Sequence, residues 1–199
     1  MTQNKVIVIT GGIASGKSAL CEYLKSKGYI VISADEKTGE IYDIIEVRDS
    51  IISNFGKGIL SNGEIDRQKL RQVLLLKPNS VKTLNAITHP IIAKSLAKDI
   101  KEYSGESIFL ELPVYFESKE VIDKYIDINY VVYVYADAKT RLERLMQRSN
   151  ISYDEALKFM ELQLPDEIKI KKSDFVIDNS SSLTALEKNA EDLLKSLNL

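Results

Sequence analysis

The amino-acid sequence predicts an α/β protein in which helices pack on both faces of a parallel sheet. Five short runs rich in apolar and β-branched residues predict strands, and the first has the continuous apolar character of a central strand buried on both faces. These runs lie at residues 5–10, 29–33, 107–112, 130–135 and 175–177. Apolar residues at helical spacing fill the segments between them. This alternation of strands with helices is typical of a doubly wound sheet with three layers, α/β/α.

Composition limits the kind of protein to which this sheet belongs. The chain has 199 residues, enough for one sizeable core with appended segments, and its 44% hydrophobic and 28% charged residues are typical of a globular domain. A net charge of −2 lacks the broad positive field that duplex binding needs, so no nucleic-acid partner is expected. Nothing in the sequence points to an obligate protein partner.

Cysteine content and hydropathy indicate where the protein works. Cys21 is the only cysteine, which excludes an intramolecular disulfide and a zinc cluster built from thiolates. The first residues lead into a strand without the pattern of a secretion signal, and no run approaches 18 apolar residues. A cytoplasmic protein that does not span a membrane is therefore expected.

A glycine-rich loop follows the first predicted strand. The stretch "GGIASGKS" fits the pattern G-x-x-x-x-G-K-[ST], and a helix that stops near Gly28 comes next. In such a loop the backbone N–H groups surround phosphate oxygens, the lysine reaches the β- and γ-phosphates, and the serine hydroxyl ligates Mg²⁺. The alternative is a chance glycine turn. The predicted residues for ATP are Gly11, Gly12, Ile13, Ala14, Ser15, Gly16, Lys17, Ser18 and Ala19, with Ser18 as the metal ligand. Alanine at position 14 should be tolerated if its φ is negative.

Two carboxylates are predicted at strand ends. Asp35 follows the second strand, and ligands of open α/β sheets bind outside the carboxyl ends of strands. It could accept a proton from an attacking hydroxyl group or hold the water shell of a metal ion, or it could merely cap the next helix. Glu111 ends the third strand and could lie in the outer coordination shell of Mg²⁺, or it could be a charge at the rim of the sheet.

Residues 36–105 form a long, mostly helical insertion between the second and third strands. Asn79 and Ser80 predict a helix start, and Pro90 predicts a break, because a residue before proline is pushed out of the helical region. His89, the sole histidine, is expected in a fixed turn at this break. The insertion is too large for a plain crossover and is interpreted as a substrate-binding subdomain.

A stripe of arginines marks the next polar region, residues 139–164, which predicts two helices. Arg141, Arg144 and Arg148 are spaced i, i+3 and i+7, which places them within about 60° of one another on a helix face. Guanidinium groups in this arrangement suit phosphate oxygens and could close over a triphosphate as a lid. A solvated basic face is the alternative. A last amphipathic helix near the C-terminus completes the pattern.

Taken together, these landmarks resemble the dephospho-CoA kinase family along nearly the whole chain. The matching segments are "TGGIASGKS", "SAD" at 33–35, "GEIDR" at 63–67, "LNAITHP" at 84–90, "LELPVYFES" at 110–118, the arginine helix, Gln163, Lys169 and "SDFVIDN" at 173–179. The phosphate loop alone is generic, whereas the ordered set is specific. The resemblance implies a P-loop NTPase fold with a five-stranded parallel sheet, a helical acceptor-binding insertion at 36–105 and a helical lid at 139–170.

The resemblance also implies a reaction and roles for residues. The γ-phosphoryl group of ATP would move to the ribose 3'-hydroxyl of dephospho-CoA, with ATP and Mg²⁺ as the cofactors. Asp35 would be the base, Lys17 and Arg141 would stabilise charge, and Arg144, Arg148 and Asn179 would bind the nucleotide. Arg67, His89 and Pro113 would belong to the acceptor pocket.

Some residues depart from the family pattern. Phe159 stands where relatives commonly have arginine, Ala14 where they have glycine, Glu111 where aspartate is frequent and Tyr115 where leucine is frequent. The stretch between Asp35 and residue 55 is also short. The loop, the candidate base and the metal ligand all remain.

Two other functions fit the loop. A nucleoside or nucleoside monophosphate kinase would use the same core and lid. It differs from a dephospho-CoA kinase in the acceptor that it phosphorylates. A nucleotide-dependent switch that binds a partner and hydrolyses slowly is disfavoured, because no guanine-reading N-K-x-D occurs in the sequence.

Overall fold

A parallel sheet of five strands forms the centre of the protein. The computed structural model describes residues 4–77 and 79–199. The strands of this sheet are ordered β2-β5-β1-β6-β7, and each neighbouring pair is parallel. Their bounds are β1 (Lys5–Gly11), β2 (Val31–Ser33), β5 (Ser107–Glu111), β6 (Tyr130–Tyr135) and β7 (Phe175–Asp178). All five predicted strands are confirmed, although the second is shorter than expected.

Helices cover both faces of the sheet. Their bounds are α1 (Lys17–Ser26), α2 (Ala34–Ile41), α3 (Ile45–Phe55), α4 (Arg67–Leu76), α5 (Ser80–Glu102), α6 (Tyr115–Ile122), α7 (Ala138–Ser149), α8 (Tyr153–Glu161), α9 (Asp166–Lys171) and α10 (Leu183–Ser196). On β1, Ile7 and Ile9 face α1 and α10, whereas Val6 and Val8 face α5 and α6. This alternation follows from the two-residue repeat of a strand and confirms the three-layer α/β/α architecture.

The segment between β2 and β5 has a small apolar cluster of its own. Val47, Ile51 and Phe55 on α3 pack with Ile59 and with Leu70 on α4. A short antiparallel hairpin of β3 (Leu60–Ser61) and β4 (Glu64–Ile65) connects these helices. Sequence patterns did not predict this hairpin, because its strands are too short to show alternation.

Helix α5 contradicts the predicted break at Pro90. It runs without interruption from Ser80 to Glu102 with Pro90 inside it, so His89 lies within a helix and not in a turn. Thr88 before the proline is buried, and Ile92, Ala93 and Leu96 after it pack against the sheet. Tertiary packing therefore outweighs the lost backbone hydrogen bond at Pro90.

The two helices predicted for residues 139–164 are confirmed as α7 and α8, and a third helix that was not predicted follows them. The additional helix is α9, which lies directly before β7. The expected closing helix is confirmed as α10. Among the helices that the structure describes, none is both long and apolar enough to cross a bilayer.

Candidate active site

The glycine-rich loop connects the carboxyl end of β1 to the first turn of α1. The Ser15 N–H donates to the Gly12 carbonyl oxygen at 3.1 Å, which curls the loop over the end of the strand. A Cβ atom at Gly12 would lie 2.0 Å from Nη1 of Arg141, so a side chain at this position would collide with a buried arginine. The loop thus has the strand-to-helix setting that a phosphate-binding motif requires.

Ala14 does not meet the condition of a negative φ under which an alanine would be tolerated here without strain. Its φ is +58°, in the left-handed region that L-residues other than Asn and Asp rarely adopt. The loop therefore holds an alanine in a conformation that glycine would adopt at lower cost. The neighbouring Gly16 has φ +91°, and a Cβ there would lie 2.0 Å from Nδ2 of Asn179.

Lys17 is buried beneath the loop. It is 9% exposed, and its ammonium group donates to the carbonyl oxygens of Gly11 and Gly12 at 3.3 and 3.4 Å. Burial lowers the pKa of Lys17, while the nearby carboxylates of Glu111 and Asp35 oppose that change. The three groups thus form one electrostatic cluster at the carboxyl ends of β1, β2 and β5.

Ser18 and Glu111 place a hydroxyl oxygen and a carboxylate oxygen side by side next to the loop. The Ser18 hydroxyl donates to Oε1 of Glu111 at 3.1 Å, and Ser18 itself is exposed. In the described part of the chain, no group of three or more Asp, Glu, His or Cys residues could hold a metal ion. A hydroxyl and one carboxylate nevertheless fit Mg²⁺, which prefers oxygen ligands and usually keeps waters and substrate phosphates around it.

Asp35 is exposed in the first turn of α2, directly after β2. The alternative that it caps this helix is wrong, since the N-cap residue is Ser33. Asp35 is therefore an available carboxylate near Lys17 at the sheet edge where Glu111 also lies.

Asn179 supports the loop from the far side of the sheet. Its side-chain amide donates to the Ser15 carbonyl oxygen at 2.8 Å, and the residue is only 6% exposed. It follows β7, so the fifth strand positions a side chain directly against the phosphate loop.

The three arginines of α7 lie in different environments. Arg141 is buried, donates to Oδ2 of Asp166 at 2.5 Å and to the Ala136 carbonyl oxygen, and lies against Gly12. Arg144 and Arg148 instead line a cavity of 310 Å³ with Lys17 and Ser18. Nη1 of Arg144 is buried and, within residues 4–77 and 79–199, has no hydrogen-bond partner. The solvated-face alternative thus fails for Arg141, and Arg144 has a donor free for an anion.

Residues 163–169, which we call the strap, tie the phosphate loop to three other elements. The Ile13 N–H donates to Oε1 of Gln163 at 2.8 Å. Asp166 binds Arg141 and also accepts from the Tyr133 hydroxyl at 2.6 Å, and burial with this bond raises the pKa of Tyr133. Sequence reasoning assigned no role to Asp166 or to this contact of Gln163, because the partners are distant along the chain.

A buried ion pair anchors the strap to α6. The Lys169 ammonium lies 2.9 Å from Oε1 of Glu117, and Lys169 is 1% exposed. The same oxygen accepts the Leu164 N–H at 3.0 Å. In the sequence, Lys169 was noted only as a residue that matches the family. The structure shows that it contacts Glu117.

The predicted acceptor residues belong to elements between β2 and α6, whereas Asn179 follows β7, which is the edge strand opposite β2. Arg67 begins α4, with its guanidinium carbon 5.8 Å from the centre of the Tyr42 ring. His89 is half-buried on α5, where burial lowers its pKa and nearby Glu117 opposes the change. Pro113 follows β5.

The sheet order and the loop place the protein in the class of P-loop NTPase folds. A family model described as dephospho-CoA kinase matches residues 5–185. A dephospho-CoA kinase from Fusobacterium nucleatum is 38% identical over 188 residues, which are 94% of this chain and 95% of that protein. The chain therefore belongs to the dephospho-CoA kinase family.

Solved structures agree with this family. A crystal structure of a Thermus thermophilus protein superimposes with a TM-score of 0.80 at 30% identity and covers 98% of both chains. The dephospho-CoA kinase from Campylobacter jejuni superimposes with a TM-score of 0.61 at 26% identity, also over 98% of both chains. The P-loop fold that the sequence predicted is thereby confirmed.

Proposed function

We propose that the chain transfers the γ-phosphoryl group of ATP to the ribose 3'-hydroxyl of dephospho-CoA, giving coenzyme A and ADP. The observation that carries the proposal is the cluster of Lys17, Ser18, Glu111 and Asp35 at one edge of the sheet, in a chain of this family. It combines an anion-binding loop with a carboxylate that can receive a proton.

The donor side of the reaction would use the loop. The triphosphate of ATP would bind the backbone N–H groups between Gly11 and Ser18, with Lys17 and Arg144 close to its charges. Ser18 and Glu111 would hold Mg²⁺, which supplies neutralisation of the charge on the phosphate oxygens when it is bound. Asn179 would keep the shape of the loop through its bond to the Ser15 carbonyl oxygen, and Arg141 would limit the space at Gly12, against which it lies.

On the acceptor side, Asp35 would orient the 3'-hydroxyl and accept its proton. The hydroxyl oxygen then forms a bond to the γ-phosphorus as the bond to the β-phosphate oxygen breaks. Residues 36–105 would bind the rest of the acceptor, and residues 139–170 would act as a lid that excludes water and limits ATP hydrolysis. A cytoplasmic location, where ATP is supplied, is part of the proposal.

A coupled assay for ADP release tests this function. Purified protein with ATP and Mg²⁺ should release ADP when dephospho-CoA is added, and little without an acceptor. The same assay with a panel of nucleosides and nucleoside monophosphates examines the alternative kinases. ADP release with one of these and none with dephospho-CoA would overturn the proposal, as would slow hydrolysis that no small acceptor stimulates.

A further inference from the structure

A second cavity lies between the insertion and the helices after β6. It has a volume of 740 Å³ and separates α4 from the end of α7 and from α8. Three guanidinium groups line it, those of Arg67 and Arg71 on α4 and of Arg148 on α7, and we call it the arginine groove. Since Arg148 also lines the cavity beside the phosphate loop, the two cavities adjoin.

The positive charge of the arginine groove is not balanced by carboxylates. Within the part of the chain that the structure describes, none of Arg67, Arg71 and Arg148 is in an ion pair. The one lining carboxylate, Glu155, instead binds the backbone N–H and the hydroxyl of Ser152 at 3.0 and 2.9 Å. Burial, and then the neighbouring charge of Arg148, lowers the pKa of Arg71. Guanidinium groups brought together in this way favour a bound anion.

The groove begins beside the candidate base. A Cβ atom at Gly39 would lie 2.9 Å from Nη2 of Arg67, so Arg67 lies against α2 at Gly39. Asp35 and Gly39 are four residues apart on α2 and share one face of that helix. A ligand with its hydroxyl group at Asp35 can therefore extend its anionic part along this face toward the three arginines.

Phe159 contacts Arg71 within the groove. The guanidinium carbon of Arg71 lies 4.8 Å from the centre of the Phe159 ring on α8. An aromatic face attracts a guanidinium group but leaves its N–H donors free at the edge of the plane. The residue that departs from the family pattern thus holds an arginine without neutralising it.

We propose that the arginine groove binds the diphosphate bridge of the acceptor, and that Arg71 is the residue that selects an acceptor carrying this bridge. The inference rests on the proposed function, which makes the acceptor an adenosine diphosphate ester. Arginine forks bind phosphate oxygens through two parallel hydrogen bonds, and groups on α4 and α7 would both contact the same diphosphate. The acceptor would in this way join the insertion to the helices that cover the loop.

The test measures turnover of Arg71→Gln with the acceptor and the donor varied separately. The expected result is a KM for dephospho-CoA raised by about tenfold or more, with kcat within about threefold and the KM for ATP within about twofold. Arg71→Lys keeps the positive charge but lacks the forked guanidinium group. Its KM for dephospho-CoA should lie between those of the unsubstituted protein and of Arg71→Gln. Arg48→Gln is the matched control, because Arg48 lies on α3 and donates to the Gly63 carbonyl oxygen, outside the groove.

A change of less than twofold in the KM for dephospho-CoA would overturn the inference. An equal rise in the KM for ATP would also overturn it, because the groove would then serve the donor. If Arg71→Gln does not fold, Arg67→Gln takes its place with the same expected rise.

Calorimetric titration of the nucleotide-free protein with dephospho-CoA separates this inference from the reaction. Binding that weakens about tenfold in Arg71→Gln, in a protein that releases no ADP, would support the groove and reject the proposed transfer. Absence of binding to the unsubstituted protein would reject both.

Discussion

The phosphate loop and the arginine groove hold their charged groups in opposite ways. Around the loop, Arg141 is bound to Asp166, Lys17 to two carbonyl oxygens and Lys169 to Glu117. In the groove, by contrast, Arg71 contacts an aromatic ring and has no carboxylate partner among the described residues. The comparison teaches that the protein itself provides partners for these charges around the loop, apart from Nη1 of Arg144, whereas the charge of Arg71 in the groove has no carboxylate partner among the described residues.

The largest expected effect comes from removing the cation of the loop. Lys17→Ala should lower kcat by about 10³-fold, because a buried charge beside the transferred phosphoryl group is lost. The coupled ADP-release assay measures it, and Lys25→Ala on the exposed side of the same helix is the control. A Lys17→Ala protein that keeps more than a tenth of the activity would show that the loop does not stabilise the charge.

Asp35→Asn tests the candidate base, which lies between the phosphate loop and the arginine groove. It should lower kcat by about 10²-fold, because the amide cannot receive the proton of the hydroxyl group. The dissociation constant for ATP, measured by titration, should change little. Glu36→Gln, in the same helical turn, is the control, and its kcat should be close to that of the unsubstituted protein. Near-native turnover of Asp35→Asn would remove Asp35 from the role of base.

The ion pair between Lys169 and Glu117 can be tested through its effect on the stability of the protein. Lys169→Met should lower the free energy of unfolding by about 3 kcal/mol, because Glu117 is left buried without its partner. Urea denaturation followed by circular dichroism measures this. Lys98→Met breaks an exposed pair with Glu102 and should have almost no effect. If the two variants unfold alike, the donor side is not held by buried ion pairs.

The smallest expected effect concerns the backbone of the loop. Ala14→Gly should raise the free energy of unfolding by at most about 1 kcal/mol, because glycine adopts a positive φ without the steric cost of a Cβ. Ala97→Gly, in the middle of α5, should have the opposite sign. The denaturant midpoints of both variants measure these two changes in stability. A loss of stability in Ala14→Gly would mean that the methyl group makes contacts that outweigh the strain.

The features that the sequence predicted correctly depend on neighbouring residues. The strands, the loop before α1 and the position of Asp35 after β2 all follow from short patterns of apolar, glycine and charged residues. The sign of φ at Ala14 stayed open because the curvature of the loop sets its backbone conformation, which a residue type does not reveal.

What the sequence could not predict depends on distant contacts. Pro90 is a strong local signal for a break, yet packing of α5 against the sheet overrides it. The bond from Ile13 to Gln163 joins residues 150 positions apart, and Asp166 has no neighbouring motif that marks it. The same holds for Arg71 and Phe159, which only the folded chain brings together.

Cys21 lies in the core cluster under α1, 2% exposed, and burial raises the pKa of its thiol. Because it is the only cysteine, a thiol-labelling reagent can modify the chain only after the layer beneath the phosphate loop has opened. The labelling rate of the native protein would therefore report the opening free energy of this layer, without any introduced probe.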